Sequence, residues 1–278
     1  MLKTALIQLN SSDQPAQNLP ATMGFIAEAA REGAQFILTP EVTNCVSGSR
    51  AHQEEVLQSE ADDETLVALR AQADALRVWL LIGSLALKTN DPDGRFANRS
   101  FLIGPDGAIV ARYDKMHMFD VTVSEQETYR ESKGYRPGVA AILAQMGDAT
   151  VGLSVCYDLR FAYLYRALAQ GGADILTVPS AFSTGTGPDH WEPLLKARAI
   201  ETGSFVLAPA QTGTHAATHG EGRKTYGHSM AISPWGEVMC DGGTQPGISL
   251  VSLDLSLVGK VRSRIPALTH DRTFTGPL

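Results

Sequence analysis

Residues 149–172 read ATVGLSVCYDLRFAYLYRALAQGG. An apolar run, Ala149–Val155, leads to Cys156, and a short turn follows. Phe161–Gln170 then has the spacing of a helix and is closed by Gly171 and Gly172. A second apolar run, Asp174–Val178, comes directly after. Strand, helix and strand in succession form a βαβ unit, which predicts an α/β protein.

The same rhythm holds on both sides of this stretch. Toward the N-terminus, Lys3–Leu9 and Gln35–Leu38 read as strands around a helix at Ala16–Glu32, which carries Leu19, Met23, Ile26, Ala27 and Ala30 at helical spacing and stops at Gly33. A helix over Asp62–Arg77 and an almost wholly apolar strand over Val78–Leu87 come next. Asn98–Ile103 and Ala108–Tyr113 flank Pro105-Asp106-Gly107 and predict a hairpin. Toward the C-terminus the reading gives a helix over His190–Thr202 and a strand over Ser204–Ala208. A hairpin over His228–Ser233 and Glu237–Cys240, a strand over Ile248–Leu253 and a helix over Leu255–Arg264 complete it. Residues 115–140, 179–188 and 211–227 read as loops, and polar connections as long as the first are often functional. βαβ units mixed with hairpins predict mixed sheets. With no repeat, linker or low-complexity tract, residues 1–278 are expected to form a single domain.

Composition narrows the function. The 278 residues carry a net charge of −7 and no basic run, which argues against nucleic acid as a partner. No apolar stretch reaches membrane-spanning length, and Met1–Asn10 lacks the pattern of a signal peptide, so a cytoplasmic protein is expected. Three widely spaced cysteines, Cys45, Cys156 and Cys240, form neither a disulfide framework nor a zinc motif. Cys45 and Cys240 read as structural, and no metal or organic cofactor is expected. Gly-rich phosphate-binding motifs are absent too.

Three reactive residues each follow a strand: Glu41, Lys115 and Cys156. In open α/β sheets the crevice beyond the carboxyl ends of strands is where such residues converge. Cys156 lies on a strand-to-helix turn, where the backbone amide of Tyr157 is free to hold an oxyanion and the helix start favours a thiolate; a buried core cysteine suits the same segment. A nucleophilic cysteine needs a base, and none of the histidines has an evident triad context. Glu41 can serve, its pKa raised by desolvation, although the local sequence alone suits a surface or capping glutamate better. Lys115 would balance Glu41 and stabilise an oxyanion, or be a plain surface lysine.

These segments resemble the three motifs of the nitrilase, or carbon–nitrogen hydrolase, superfamily: Pro40-Glu41 after an early strand, YDKMHMFD at 113–120 and VCYDLRF at 155–161. The resemblance covers nearly the whole chain. PSAF at 179–182, TGPDHWE at 186–192, YGHSM at 226–230 and PWGE at 234–237 are similar to the Nit branch; KARAIET at 196–202 and Ala210-Gln211 are closer to deaminated glutathione amidases than to ω-amidases. Ala162-Tyr163 departs from the Pro-Glu common in relatives, and the match around 44–50 is loose.

The resemblance implies a nitrilase-type αββα sandwich with two mixed sheets, and a homodimer or higher homo-oligomer. It implies a Glu41–Lys115–Cys156 triad: base, oxyanion-stabilising lysine and nucleophile. Glu131, in ESKGYRPG at 131–138, matches a supporting glutamate. The implied activity is hydrolysis of a small carboxylate-bearing amide to acid and ammonia through a thioester. Deaminated glutathione is the leading substrate, with α-ketoglutaramate, as for an ω-amidase, or an N-carbamoyl amino acid as alternatives. Arg160, Arg198 and Arg223 are candidate carboxylate anchors, and Phe182, Thr184 and His190 candidate pocket residues, although each has a structural reading as well.

Overall fold

A strand buried on both faces needs a layer on each side, and Leu2–Gln8 is such a strand: Ala5, Leu6 and Ile7 have no exposed surface. Leu6 joins an apolar cluster with Val151 and Leu153, while Ala5 and Ile7 join another with Ile26 and Leu69. The computed structural model describes residues 1–123 and 128–277. Along them run β1 (Leu2–Gln8), α1 (Pro15–Arg31), β2 (Phe36–Leu38), α2 (Arg50–Val56), α3 (Glu64–Leu76), β3 (Trp79–Leu87), β4 (Ala97–Ile103), β5 (Ile109–Asp114), β6 (Asp120–Thr122) and β7 (Thr128–Arg130). They continue through β8 (Ile142–Met146), β9 (Ala149–Leu153), α4 (Ala162–Gln170), β10 (Ile175–Thr177), α5 (Gly187–Thr202), β11 (Phe205–Ala208), β12 (Thr212–Thr214), β13 (Lys224–Tyr226), β14 (Met230–Ile232), β15 (Val238–Asp241), β16 (Gly247–Leu253) and α6 (Ser256–Arg264).

Two six-stranded sheets lie face to face. Their orders are β16-β1-β2-β3-β4-β5 and β15-β14-β11-β10-β9-β8. Each has three parallel strands, β1-β2-β3 or β9-β10-β11, with one antiparallel strand on one side and an antiparallel pair on the other. The two sheets therefore share one strand plan, although no repeat is visible in the residues. Phe36, Leu38, Leu81 and Leu102 of the first sheet meet Val151, Leu153 and Ile175 of the second. Helices α1 and α3 cover the outer face of the first sheet through Ile26, Leu66 and Leu69. Helices α4 and α5 add Leu164, Leu168, Trp191 and Leu195 to the cluster of the second. The result is the αββα sandwich with two mixed sheets that the sequence leads one to expect. No helix among the described residues is long and apolar enough to cross a membrane.

Several elements differ from expectation. Helix α5 begins at Gly187, not His190, because Pro188 sits in its first turn, where a missing N–H costs nothing. Helix α2 was not expected: its buried residues are His52 and Gln53, so no apolar stripe marks it, and Ser49 caps it by accepting from the His52 N–H at 3.3 Å. Strand β8 is a further element beyond the expected ones. The 115–140 loop contains the β6–β7 ribbon and a 3-10 turn at Glu131–Lys133, with residues 124–127 outside the described ones. The 211–227 loop contains the β12–β13 ribbon.

Candidate active site

Glu41 follows β2, Lys115 follows β5, and Cys156 comes just after β9. All three reach one cavity of about 480 Å³, and all three are buried. Lys115 Nζ donates to Glu41 Oε1 at 2.8 Å and to both carboxylate oxygens of Glu131 at 2.9 Å. Glu131 also accepts the Phe119 N–H at 2.6 Å. Ala181, after β10, donates its N–H to Glu41 Oε2 at 2.8 Å.

Asn98 on β4 completes the cluster. Its Nδ2 donates to Glu41 Oε1 at 2.9 Å and to Glu131 Oε1 at 3.3 Å. No motif in the sequence singles out Asn98; it is one residue of an ordinary-looking strand.

The backbone at the site is strained. Cys156 has φ +48° and Val42, directly after Glu41, has φ +46°. Left-handed backbone is unfavourable for both, and a β-branched valine there is a clear outlier. Local bonds hold each in place: Cys156 N–H donates to Pro179 O at 3.0 Å and Val42 N–H to Ser84 Oγ at 2.8 Å. Since the Cys156 amide is engaged, the Tyr157 N–H is left as the next donor on the turn, and it has no protein acceptor among the described residues.

Behind the turn, fully buried Asp158 acts as a knot. Its Oδ2 accepts from Tyr113 Oη at 2.7 Å and from the Val155 N–H at 2.8 Å. Its Oδ1 accepts from the His117 N–H at 3.0 Å and lies 2.6 Å from His117 Nδ1. Asp158 thus locks the cysteine turn to the segment that bears Lys115. Tyr163, one of the two residues that depart from the family resemblance, hydrogen-bonds His117 Nε2.

The electrostatics differ from the expectation for Glu41. Burial pushes its carboxyl up, but the Lys115 and Arg223 cations outweigh that and hold it below the ordinary value, so the raised pKa expected from desolvation does not hold. Burial would lower the Lys115 pKa, yet Glu131 and Glu41 raise it well above an ordinary lysine. The Cys156 thiol is pushed up, first by burial and then by the Glu41 charge. At neutral pH the cluster is therefore a carboxylate, an ammonium and a neutral thiol.

Of the other candidates, Phe182 lines the cavity and packs at a tilt against Trp191, ring centres 4.8 Å apart. Arg160, Thr184 and His190 do not line it. Arg160 Nη2 lies 3.1 Å from His190 Nδ1, outside the cavity, and Thr184 is solvent-exposed because its loop turns outward before α5. Arg198 is structural: its Nε donates to Leu159 O at 2.9 Å and its Nη1 to Glu201 at 2.8 Å. Arg223 does line the cavity, as do Arg50, Arg130, Lys133 and Tyr135. Cys45 lines it as well, its thiol pushed up to about 12 by burial and the Asp13 charge. All three cysteines are free thiols. Among the described residues, no cluster of three His, Cys, Asp or Glu side chains is suited to a metal ion.

The layered fold and a cleft at the strand ends define a class. Residues 3–263 match the carbon–nitrogen hydrolase family, and the chain belongs to it. It is therefore a hydrolase of carbon–nitrogen bonds. It is 37% identical over 268 residues to a deaminated glutathione amidase of Synechocystis sp., covering 96% of both chains. It is 33% identical over 271 residues to the human omega-amidase NIT2, covering 98% of this chain and 95% of the relative. Among solved structures, the C. elegans NitFhit protein superposes with a TM-score of 0.89 at 32% identity. The match covers 97% of this chain and 65% of that longer one.

Proposed function

We propose that the chain is a cysteine-dependent amidase that hydrolyses deaminated glutathione through a thioester, with Glu41, Lys115 and Cys156 as its catalytic residues. The observation that carries this reading is the pairing of the buried Lys115, held between Glu41 and Glu131, with a thiol in the same cavity. The likeness to deaminated glutathione amidases supports the choice of substrate.

In the first half-reaction Glu41 takes the Cys156 proton as the thiolate attacks the amide carbonyl. The oxyanion is stabilised by Lys115 and the Tyr157 N–H. Glu41 gives the proton to the leaving nitrogen, and the amine departs from a thioester on Cys156. In the second half, Glu41 deprotonates water, which attacks the thioester; the acid leaves and the thiol is restored. Glu131 and Asn98 hold Lys115 and Glu41 in register throughout.

The released amine depends on the substrate. A primary ω-amide gives ammonia. The scissile amide of deaminated glutathione is secondary, so its leaving group is the cysteinylglycine amine, and ammonia as the sole product does not apply to it. The cationic wall of Arg50, Arg130, Lys133 and Arg223 suits a substrate with two carboxylates.

The test is turnover of both substrates by the purified protein, with Cys156→Ser as control. Release of cysteinylglycine from deaminated glutathione, with weaker ammonia release from α-ketoglutaramate, is the expected result. The reverse preference moves the chain to the ω-amidase reading, for which the human relative speaks. Turnover retained by Cys156→Ser sinks the mechanism. A homo-oligomer also belongs to this proposal, supported by family resemblance and by the exposed Tyr163, Ile200, Trp235 and Ile265; sedimentation as a monomer would remove it.

A further inference from the structure

Arg223 is a cation in the cavity wall that makes no ion pair among the described residues. Its Nη2 donates to Ala181 O at 2.7 Å, and its guanidinium lies 5.5 Å from the centre of the Tyr129 ring. Its Nε is buried and makes no hydrogen bond among the described residues. Among the described residues, no carboxylate lies within ion-pair range of it. A part-buried charge without an ion-pair partner among the described residues is costly, and a ligand anion would relieve that cost.

Its place relative to the chemistry is set through one residue. Ala181 accepts from Arg223 with its carbonyl and donates to Glu41 with its N–H. The guanidinium is also close enough for its charge to act on both Glu41 and Cys156. In a five-carbon acyl chain with an amide at one end and a carboxylate at the other, the terminal carbons are roughly 5 Å apart. A carboxylate that close to the scissile carbon must fall near the nucleophile, not at the distant mouth.

We propose that Arg223 anchors the acyl-side carboxylate of the substrate and so selects ω-amides of dicarboxylic acids over uncharged amides. This rests on the amidase reading above. The planar fork of arginine suits two-point capture of a carboxylate, which a lysine does not reproduce. The carboxylate concerned is common to deaminated glutathione and α-ketoglutaramate, so Arg223 serves both substrates.

Two measurements on Arg223→Gln test this. The first is the ratio of kcat/KM for α-ketoglutaramate to that for pentanamide, an uncharged amide of equal acyl length. It should fall by about 30-fold, the loss of one charge-assisted contact, and mainly through KM. An unchanged ratio overturns the proposal and leaves the amidase reading standing. The second needs no turnover: the rate of alkylation at Cys156, read by mass spectrometry, by iodoacetate relative to iodoacetamide. Wild type should favour the anion over the variant's ratio by roughly tenfold; equal ratios overturn the proposal even if no amide is hydrolysed. If Arg223→Gln does not fold, Arg223→Lys takes its place. It should keep the iodoacetate preference yet raise the α-ketoglutaramate KM by about tenfold, and an unchanged KM would count against the anchor.

Discussion

Ala181, in the loop after β10 of the other sheet, donates its backbone N–H to Glu41 Oε2 at 2.8 Å, 140 residues away along the chain. With Lys115 and Asn98 on Oε1, the carboxylate is gripped from both halves of the sandwich. Donors of this kind favour the charged form, so the proposed base is ionised before substrate arrives.

Glu41→Gln keeps the size of the side chain and removes the base. Turnover should drop by roughly 10³-fold with an unchanged circular dichroism spectrum. A variant within tenfold of wild type would remove Glu41 from the chemistry.

The acid limb of kcat/KM follows from the lowered Glu41 pKa. A base must be deprotonated, so activity should persist as pH falls toward the ordinary carboxylate range and disappear only below it. A profile in which the limb lies near pH 6 to 7, with the protein still folded, would contradict this assignment.

Asn98→Ala removes the donor shared by Glu41 and Glu131. We expect kcat to fall about tenfold, the value of one buried hydrogen bond to a charged group, with KM little changed. Steady-state kinetics decide it; a change confined to KM would make Asn98 a substrate contact instead.

Gly83 lies where the two sheets meet beneath the site. A Cβ there would come within 2.0 Å of Thr39 O and 2.5 Å of both Pro40 O and Pro179 Cβ. Gly83→Ala should therefore cost about 3 kcal/mol, read as a lower urea midpoint. An unchanged midpoint would show that the Pro40 and Pro179 loops yield to the added methyl group.

His215 is buried, with Nδ1 2.7 Å from Ser11 O and Nε2 2.7 Å from Thr225 Oγ1. Burial, aided by Arg223, lowers its pKa to about 4. The folded chain thus refuses a proton that the unfolded chain binds near 6.5, the ordinary value. Its contribution to stability is complete above that pH and should fade by on the order of 2 kcal/mol as pH drops toward 4. Urea unfolding across pH 4 to 7 should show a flatter slope for His215→Gln than for wild type.

Much of this was legible in the residues because it rests on local pattern. Val78–Leu87 reads as a buried strand since nearly every side chain is apolar, and Glu41, Lys115 and Cys156 stand in motifs at strand ends. What was not legible depends on contacts between distant segments. Asn98 is marked only by facing Glu41 across the cavity, and Arg223 is separated from Arg160 and Arg198 only by the loop that brings it inward. Helix α2 buries polar groups and so lacks an apolar stripe. The lowered Glu41 pKa is not legible locally either, because the two cations that outweigh its burial, Lys115 and Arg223, come from distant segments.

Strand β1 pairs with β16 over its whole length, Leu2 opposite Leu253 and Gln8 opposite Gly247. Strand β1 therefore waits for a strand made far later in the chain before this edge is covered. Such a non-local closure slows folding and leaves an open strand edge during synthesis. Mutations in β16, far from any chemistry, should accordingly reduce yield in the cell before they touch the activity of molecules that do fold.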